Sequence, residues 1–145
     1  MKRSESLKPL SHDHHHALYV AKRLREDEPG PAAEAFAEFW NDEGAAHFRI
    51  EEEVLLPGSS LDGPGSDDDV ARMLDDHLEI RRRAKRVLEG EASEEELRRL
   101  GVRMSEHVRF EERRLFPRIE SLLDGSDLER LGTRLDQAER SARAD

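Results

Sequence analysis

Apolar residues return every three or four positions along most of this chain, the period of an amphipathic helix. Gly and Pro interrupt that pattern cleanly. The spacing predicts a first helix from about Ser11, which can cap it, to about Asp27, before Pro29, Gly30 and Pro31. Pro31 suits the first position of a second helix. There Phe36, Phe39, Trp40, His47, Ile50, Glu51 and Val54 recur at helical spacing as far as about Leu55. The Gly/Pro/Ser-rich stretch 57–65 reads as a loop. Ser66 is the expected cap of a third helix, which has an acidic first turn and ends at Gly90. Ser93 and Glu96 have capping-box spacing and open a fourth helix, with Pro117 expected to kink or break it. A short C-terminal helix is expected at about 126–141, with Ser126 as its cap. Its Leu128, Leu131 and Leu135 would pack across the bundle, and the polar tail beyond Gln137 is expected to fray. No useful stretch alternates with period two, so no strands are expected.

Four helices with short links predict an all-α fold, an up-down-up-down four-helix bundle in one domain over 1–145. Its core would span about 8–123. The apolar stripes of the second and fourth helices, however, also carry His47, Glu51, His107 and Glu111. Ionised carboxylates in an apolar seam are costly unless they are paired or bind metal.

Those residues belong to a repeat. The stretch beginning at His47 and ending at Pro57 returns from His107 to Pro117, with His, Arg, two Glu, Leu and Pro at the same places. Each copy holds His-x-x-x-Glu, which sets both side chains on one helix face a turn apart. The doubling extends further, because Asp13-His14 is echoed by Asp76-His77. The chain thus reads as two halves, each Asp-His followed by His-x-x-x-Glu.

Composition narrows the chemistry. The 145 residues carry a net charge of −10, which argues against a nucleic-acid backbone or an anionic membrane surface as partner. No apolar run reaches membrane-spanning length, and no hydrophobic segment follows the basic residues near Met1, so a cytoplasmic protein is expected. There is no cysteine, so any metal must be held by His and carboxylate. Four imidazoles and two carboxylates suit a pair of iron or manganese ions better than a closed zinc tetrahedron. The candidate ligands are His14, His47, Glu51, His77, His107 and Glu111, with Glu51 and Glu111 shared between the ions. Asp13 and Asp76 point about 100° away from their neighbouring His, which suits capping or support of a ligand rather than ligation. Glu52 and Glu112 are expected to face solvent or pair with Arg.

On Asp13-His14, His47-x-x-x-Glu51, Asp76-His77 and His107-x-x-x-Glu111-Glu112-x-x-Leu115-Phe116-Pro117, the chain resembles the hemerythrin-like, or HHE cation-binding, domains over roughly residues 8–123. The resemblance implies a four-helix bundle around a non-haem di-iron centre with Glu51 and Glu111 bridging. It also implies chemistry with dioxygen, peroxide or nitric oxide. The oxygen-carrying members use five histidines, two of them a turn apart on the third helix. Here Met73 stands one turn before His77, and the last motif has Glu111 at i+4 where the carriers space His and Asp further apart. His15, His12, His16 or Glu43 are the residues available as a substitute ligand. Three functions follow as expectations. The first is binding or sensing of a small oxidant, acting through a separate protein partner. The second is a peroxidase- or catalase-like enzyme with Glu43, His15 or Tyr19 as acid–base group. The third is iron storage or donation.

Overall fold

The computed structural model describes residues 3–144, and these are helical throughout apart from the links. Five helices follow in order. A short 3-10 turn, Glu5–Leu7, leads into α1, Lys8–Glu26. The helix α2 runs unbroken through Pro29–Phe39, Trp40–Gly44, Ala45–Ile50, Glu51–Leu55 and Leu56–Gly58. Next comes α3, Asp68–Leu88. The helix α4 runs through Glu94–Phe110, Glu111–Leu115 and Phe116–Leu122, and α5 is Gly125–Ala144. The helix α1 packs on α4 and α2, α3 packs on the same two, and α5 lies against Glu5–Leu7, α1 and the second half of α2.

Several helix ends differ from the expectation. The helix α1 starts a turn before Ser11, because Pro9 fits a first helical turn and Leu7 and Leu10 are wholly buried. The Ser11 hydroxyl instead donates to Glu112, at 2.6 Å. Pro29 rather than Pro31 opens α2. The cap of α3 is Asp67, not Ser66; its Oδ1 accepts from the Asp69 and Val70 amides at 3.0 and 3.1 Å. A carboxylate there also complements the helix dipole. The Ser93–Glu96 capping box forms as read, with both reciprocal bonds present. Asp124, not Ser126, accepts the Asp127 amide at the start of α5. The tail does not fray at Gln137. The helix continues to Ala144, with Leu131, Leu135 and Glu139 buried on one face.

Nor does Pro117 break α4. In an α-helix a proline ring strikes the carbonyl four residues back. The turn before each repeat proline, Glu51–Leu55 and Glu111–Leu115, is a π-helix. Leu56 and Phe116 donate to the carbonyls of Glu51 and Glu111, five residues back, so the wider turn admits Pro57 and Pro117. The Arg3 guanidinium donates to the Glu112 carbonyl at 2.5 Å, satisfying a group that Pro117 has no N–H to reach. Such π turns are found at functional sites, and here both begin at the repeat glutamate. A third, Trp40–Gly44, needs Gly44, because a Cβ there would lie 2.8 Å from the Phe39 ring and 2.9 Å from the Trp40 ring.

The core has two apolar clusters. One gathers Val20, Leu24, Phe36, Trp40, Phe48, Ile80, Leu100 and Met104. The other gathers Leu7, Leu10, Ile50, Leu55, Met73, Phe110, Phe116, Leu131 and Leu135. Along α1, α2, α3 and α4 alike, the repeat His and Glu residues fall between the two. The helix α1 passes from Leu10 through His14 to Ala17, and α3 from Met73 through His77 to Ile80. A polar layer therefore crosses the interior.

Candidate metal centre

Each of the four inner helices sends at least one side chain into that layer. His14 comes from α1, His47 and Glu51 from α2, His77 from α3, and His107 and Glu111 from α4. All six are buried, Glu51, His77 and Glu111 completely. Their ligand atoms fall into two groups that could each hold a metal ion: His14, His47, Glu51 and Glu111, and His77, His107, Glu51 and Glu111. The two glutamates belong to both.

The oxygens divide between the groups. Glu51 Oε2 lies 3.3 Å from His47 Nε2, while its Oε1 lies 3.1 Å from His77 Nε2. Glu111 Oε1 lies 2.9 Å from His14 Nε2, while its Oε2 lies 3.2 Å from His107 Nε2. Each carboxylate thus presents one oxygen to each pair of imidazoles, the placement a bridging ligand needs.

The other ring nitrogens are all engaged. His14 Nδ1 pairs with Glu112 at 2.6 Å, His47 Nδ1 with Asp13 at 3.0 Å, His77 Nδ1 with Glu52 at 2.6 Å and His107 Nδ1 with Asp76 at 2.9 Å. A carboxylate that accepts the Nδ1 proton leaves the Nε2 lone pair free for a metal and raises its basicity. Four such rings, with Nε2 turned toward two buried carboxylates, make a donor set of nitrogen and oxygen without sulfur. His47 Nε2, Glu51 Oε2, His107 Nε2 and Glu111 Oε2 are buried and make no hydrogen bond. One His–Glu pair of these orphans lies in each group. Buried polar atoms without partners are uncommon, and a cation in each group would satisfy them. The residues present therefore fit a pair of bound cations.

In protein without metal, protons take that role. Burial pushes the rings toward neutrality, but the carboxylates outweigh it. His107 is raised to about 9, chiefly by Glu111 and Asp76. His77 is raised to about 10 by Glu111, Glu51 and Glu52, and His14 and His47 also move upward. Burial likewise pushes Glu111 up, yet the charge of His107 and the close approach of the His107, His14 and His77 rings hold it well below the usual carboxylate range.

Asp13 and Asp76 thus sit where they support a neighbouring ring. Each orients the His of the other motif in its own half, not the His beside it. The roles of Glu52 and Glu112 go beyond the expectation. They do pair with Arg, since Arg81 lies 2.7 Å from Glu52 and Arg3 lies 3.2 Å from Glu112. They also orient His77 and His14, and the Glu-Glu doublet at the same place in both copies was the available signal. Among the possible substitute ligands, His12 and His15 are exposed and stand outside both groups. Glu43 pairs with exposed His16 at 3.0 Å, and Tyr19 is exposed. Met73 is wholly buried in an apolar cluster.

A cavity of about 30 Å³ opens against His14, His47 and His107. Its remaining wall is largely apolar, with Ala17, Phe39, Trp40, Phe48, Ile80, Met104 and Val108, and Asp13, Glu43 and Gly44 also line it. Phe48 stacks on His77 with ring centroids 3.8 Å apart, which covers the second pair of rings. On the far side Phe116 stacks on His14.

Comparison with known families and proteins gives one match. The model of the hemerythrin HHE cation binding domain matches residues 5–119. No curated protein and no solved structure matches the chain.

Proposed function

The chain belongs to the hemerythrin HHE cation-binding domain family, and from that premise we propose that it is a non-haem di-iron protein that binds or senses a small oxidant. In this reading His14 and His47 would hold one ion, His77 and His107 would hold the other, and Glu51 and Glu111 would each offer an oxygen to both. The frame is an up-down-up-down bundle of α1 to α4, with α5 added outside. The observation that carries the reading is the division of each glutamate's oxygens between two imidazole pairs, with an unsatisfied nitrogen and oxygen in each group. Imidazole-rich donors favour iron over manganese, which prefers a fuller oxygen set, and four donors per ion leave positions open that a closed zinc site lacks.

Two iron ions would supply redox-active binding of dioxygen, peroxide or nitric oxide at those open positions. The chain's own residues select for size and polarity. A water molecule needs at least roughly 10–15 Å³ of such space, so the cavity of about 30 Å³ takes a diatomic or similar molecule and no organic substrate. Its apolar walls keep bulk water from the imidazoles. One observation favours peroxide consumption as a second reading. Glu43 lines the cavity and its carboxylate is held by His16 at 3.0 Å, a placement suited to moving a proton. No helix among the described residues is long and apolar enough to cross a membrane, and the acidic chain is read as acting in the cytoplasm without nucleic acid.

Metal analysis and an optical spectrum of protein expressed with added iron test the reading. About two irons per chain with near-ultraviolet oxo-to-iron bands are expected, and less than one metal, or zinc alone, would refute it. Ala17→Leu, which fills the cavity, should keep both metals and abolish adduct formation with azide or nitric oxide. Unchanged adduct formation would show that the cavity is not the ligand's seat. Rapid oxygen evolution from peroxide would select the enzyme, and a stable coloured adduct the binding protein.

A further inference from the structure

With no cysteine in the chain, the thioether of methionine is its most readily oxidised side chain. Among the described residues there are two methionines, Met73 on α3 and Met104 on α4. Both are buried, at 0% and 4% exposure, and each stands about one turn before a repeat histidine, His77 or His107. Their surroundings differ. Met73 is sealed in the apolar cluster with Leu7, Leu10, Leu55 and Phe110. Met104 lines the cavity against His14, His47 and His107.

The repeat sharpens that difference. Gly44 precedes His47 by three positions as Met104 precedes His107, and both line the cavity. One copy of the motif therefore leaves space where the other places sulfur. Asp13 and Glu43, whose side chains are partly exposed, stand on the same wall and mark where it reaches solvent. A small oxidant that enters there meets apolar carbon, imidazole, the Trp40 indole and the Met104 thioether. The thioether is the soft, polarisable group among them.

We infer that Met104 is an oxidation site: peroxide seated in the cavity passes one oxygen to its sulfur, and the sulfoxide then closes the cavity to a further oxidant. The Sδ lone pair attacks one peroxide oxygen, and the O–O bond breaks as the S–O bond forms. The departing hydroxide takes the proton left on the transferred oxygen and leaves as water. Sulfur is oxidised and peroxide is reduced, so no metal, reductant or other co-reactant enters the step. The product puts a polar oxygen on an apolar wall. A water molecule needs at least about 10–15 Å³, and the added oxygen takes a comparable share of a cavity of about 30 Å³. The inference rests on the reading of that cavity as the seat of a small oxidant, and not on the metals.

Timed exposure to hydrogen peroxide tests it, on full-length protein as isolated and again after chelation, with mass analysis of the peptides carrying Met104, Met73 and Trp40. Exposure to solvent barely separates the two methionines, so a difference in rate reports the cavity. Met104 should gain one oxygen well before Met73, with or without metal. Ala17→Leu, which fills the cavity, should slow Met104 and leave Met73 at its wild-type rate. Treated wild-type protein, freed of peroxide and loaded with iron, should lose the azide or nitric oxide adduct. Met104→Leu, a swap that conserves volume, should form the same adduct after treatment as before it. Met73 keeping pace with Met104, or Met104 oxidising as fast in Ala17→Leu as in wild type, would overturn the inference, because peroxide would then arrive by opening of the bundle. Oxygen gained first at Trp40, an adduct that survives complete oxidation of Met104, or an adduct lost equally from Met104→Leu would overturn it too. Untreated protein that forms no adduct would instead remove the proposed function, and the mass comparison would still decide where the cavity leads peroxide.

Discussion

Glu51→Ala and His107→Ala separate a bridged pair of ions from two independent sites. In the structure each ion would have four protein donors, two imidazole nitrogens and two carboxylate oxygens. Glu51 faces His47 with Oε2 and His77 with Oε1, so its removal takes one donor from both ions. His107 belongs to one group only, so its removal takes one donor from one ion. Loss of a group that merely supports a ligand costs about 10–100-fold in affinity. A direct donor should cost at least the upper end of that range, about 3 kcal/mol at 1.4 kcal/mol per tenfold. His107→Ala should then keep one tight equivalent and weaken the second about a hundredfold or more. Glu51→Ala should weaken both equivalents, so that fewer chains hold a coupled pair of ions.

The assay is a titration with a competing chelator, followed by metal analysis of the desalted protein. Both variants should keep wild-type helicity by circular dichroism, which separates ligand loss from unfolding. The reasoning fails if Glu51→Ala retains two tight, coupled ions. It also fails if His107→Ala weakens both equivalents alike, because the two groups would then not be distinct.

The remaining predictions concern stability. Metal-free protein should lose stability with rising pH. Folded His107 and His77 are raised to about 9 and about 10 from 6.5, so their contribution is complete below 6.5 and disappears as pH climbs through the higher values. Melting scans in chelator from pH 6 to pH 10 should show the fall, and a flat or rising profile would contradict it; metal-loaded protein should instead be weakened by acid, since Nε2 must lose its proton to bind. Gly101→Ala should destabilise by about 1–3 kcal/mol, because a Cβ would lie 2.6 Å from the Ala21 carbonyl oxygen and force α1 off α4. An unchanged melting temperature would show that the two helices can part without cost. Ser93→Ala should cost about 1 kcal/mol through loss of the capping box that opens α4, measured by urea unfolding, and no change in midpoint would mean the cap is redundant.

The six inner residues were legible because chemistry and periodicity coincide there. A His and a Glu four apart, in an otherwise apolar stripe, would weaken a bundle that held nothing, and the chain does this twice. Boundaries were less legible because they depend on contacts between distant segments. The start of α1 at Lys8 follows from burial of Leu7 and Leu10 beneath α5, which helical spacing near Ser11 does not reveal. Pro117 reads as a break, since whether a helix ends or widens at proline depends on what satisfies the freed carbonyl. Here that is Arg3, more than a hundred positions away. The tail past Gln137 reads as polar because its inward positions are small. Leu128, Leu131 and Leu135 are followed at helical spacing by Ala138 and Ala142, which pack on the same cluster. Glu139 sits between them, and nothing in its local sequence marks it as a neighbour of Asp13.

The carboxylates around the imidazoles form a circuit. Asp13 to His47 ties α1 to α2, Glu52 to His77 ties α2 to α3, Asp76 to His107 ties α3 to α4, and Glu112 to His14 ties α4 back to α1. Each tie fixes one ring so that Nε2 faces the interior, and none of the four depends on a metal. The donor set is therefore assembled by the fold before an ion arrives, which lowers the ordering cost of binding. Duplication accounts for how such a circuit arises from short motifs. Asp-His supplies one ring and one support, His-x-x-x-Glu-Glu supplies another ring, a carboxylate common to both groups and another support, and two copies exchange supports until the circle closes. The halves need each other, because the Glu after each shared carboxylate holds the first His of the opposite half. A single copy would leave one imidazole without its orienting carboxylate, one group with three of its four donors and the other with one.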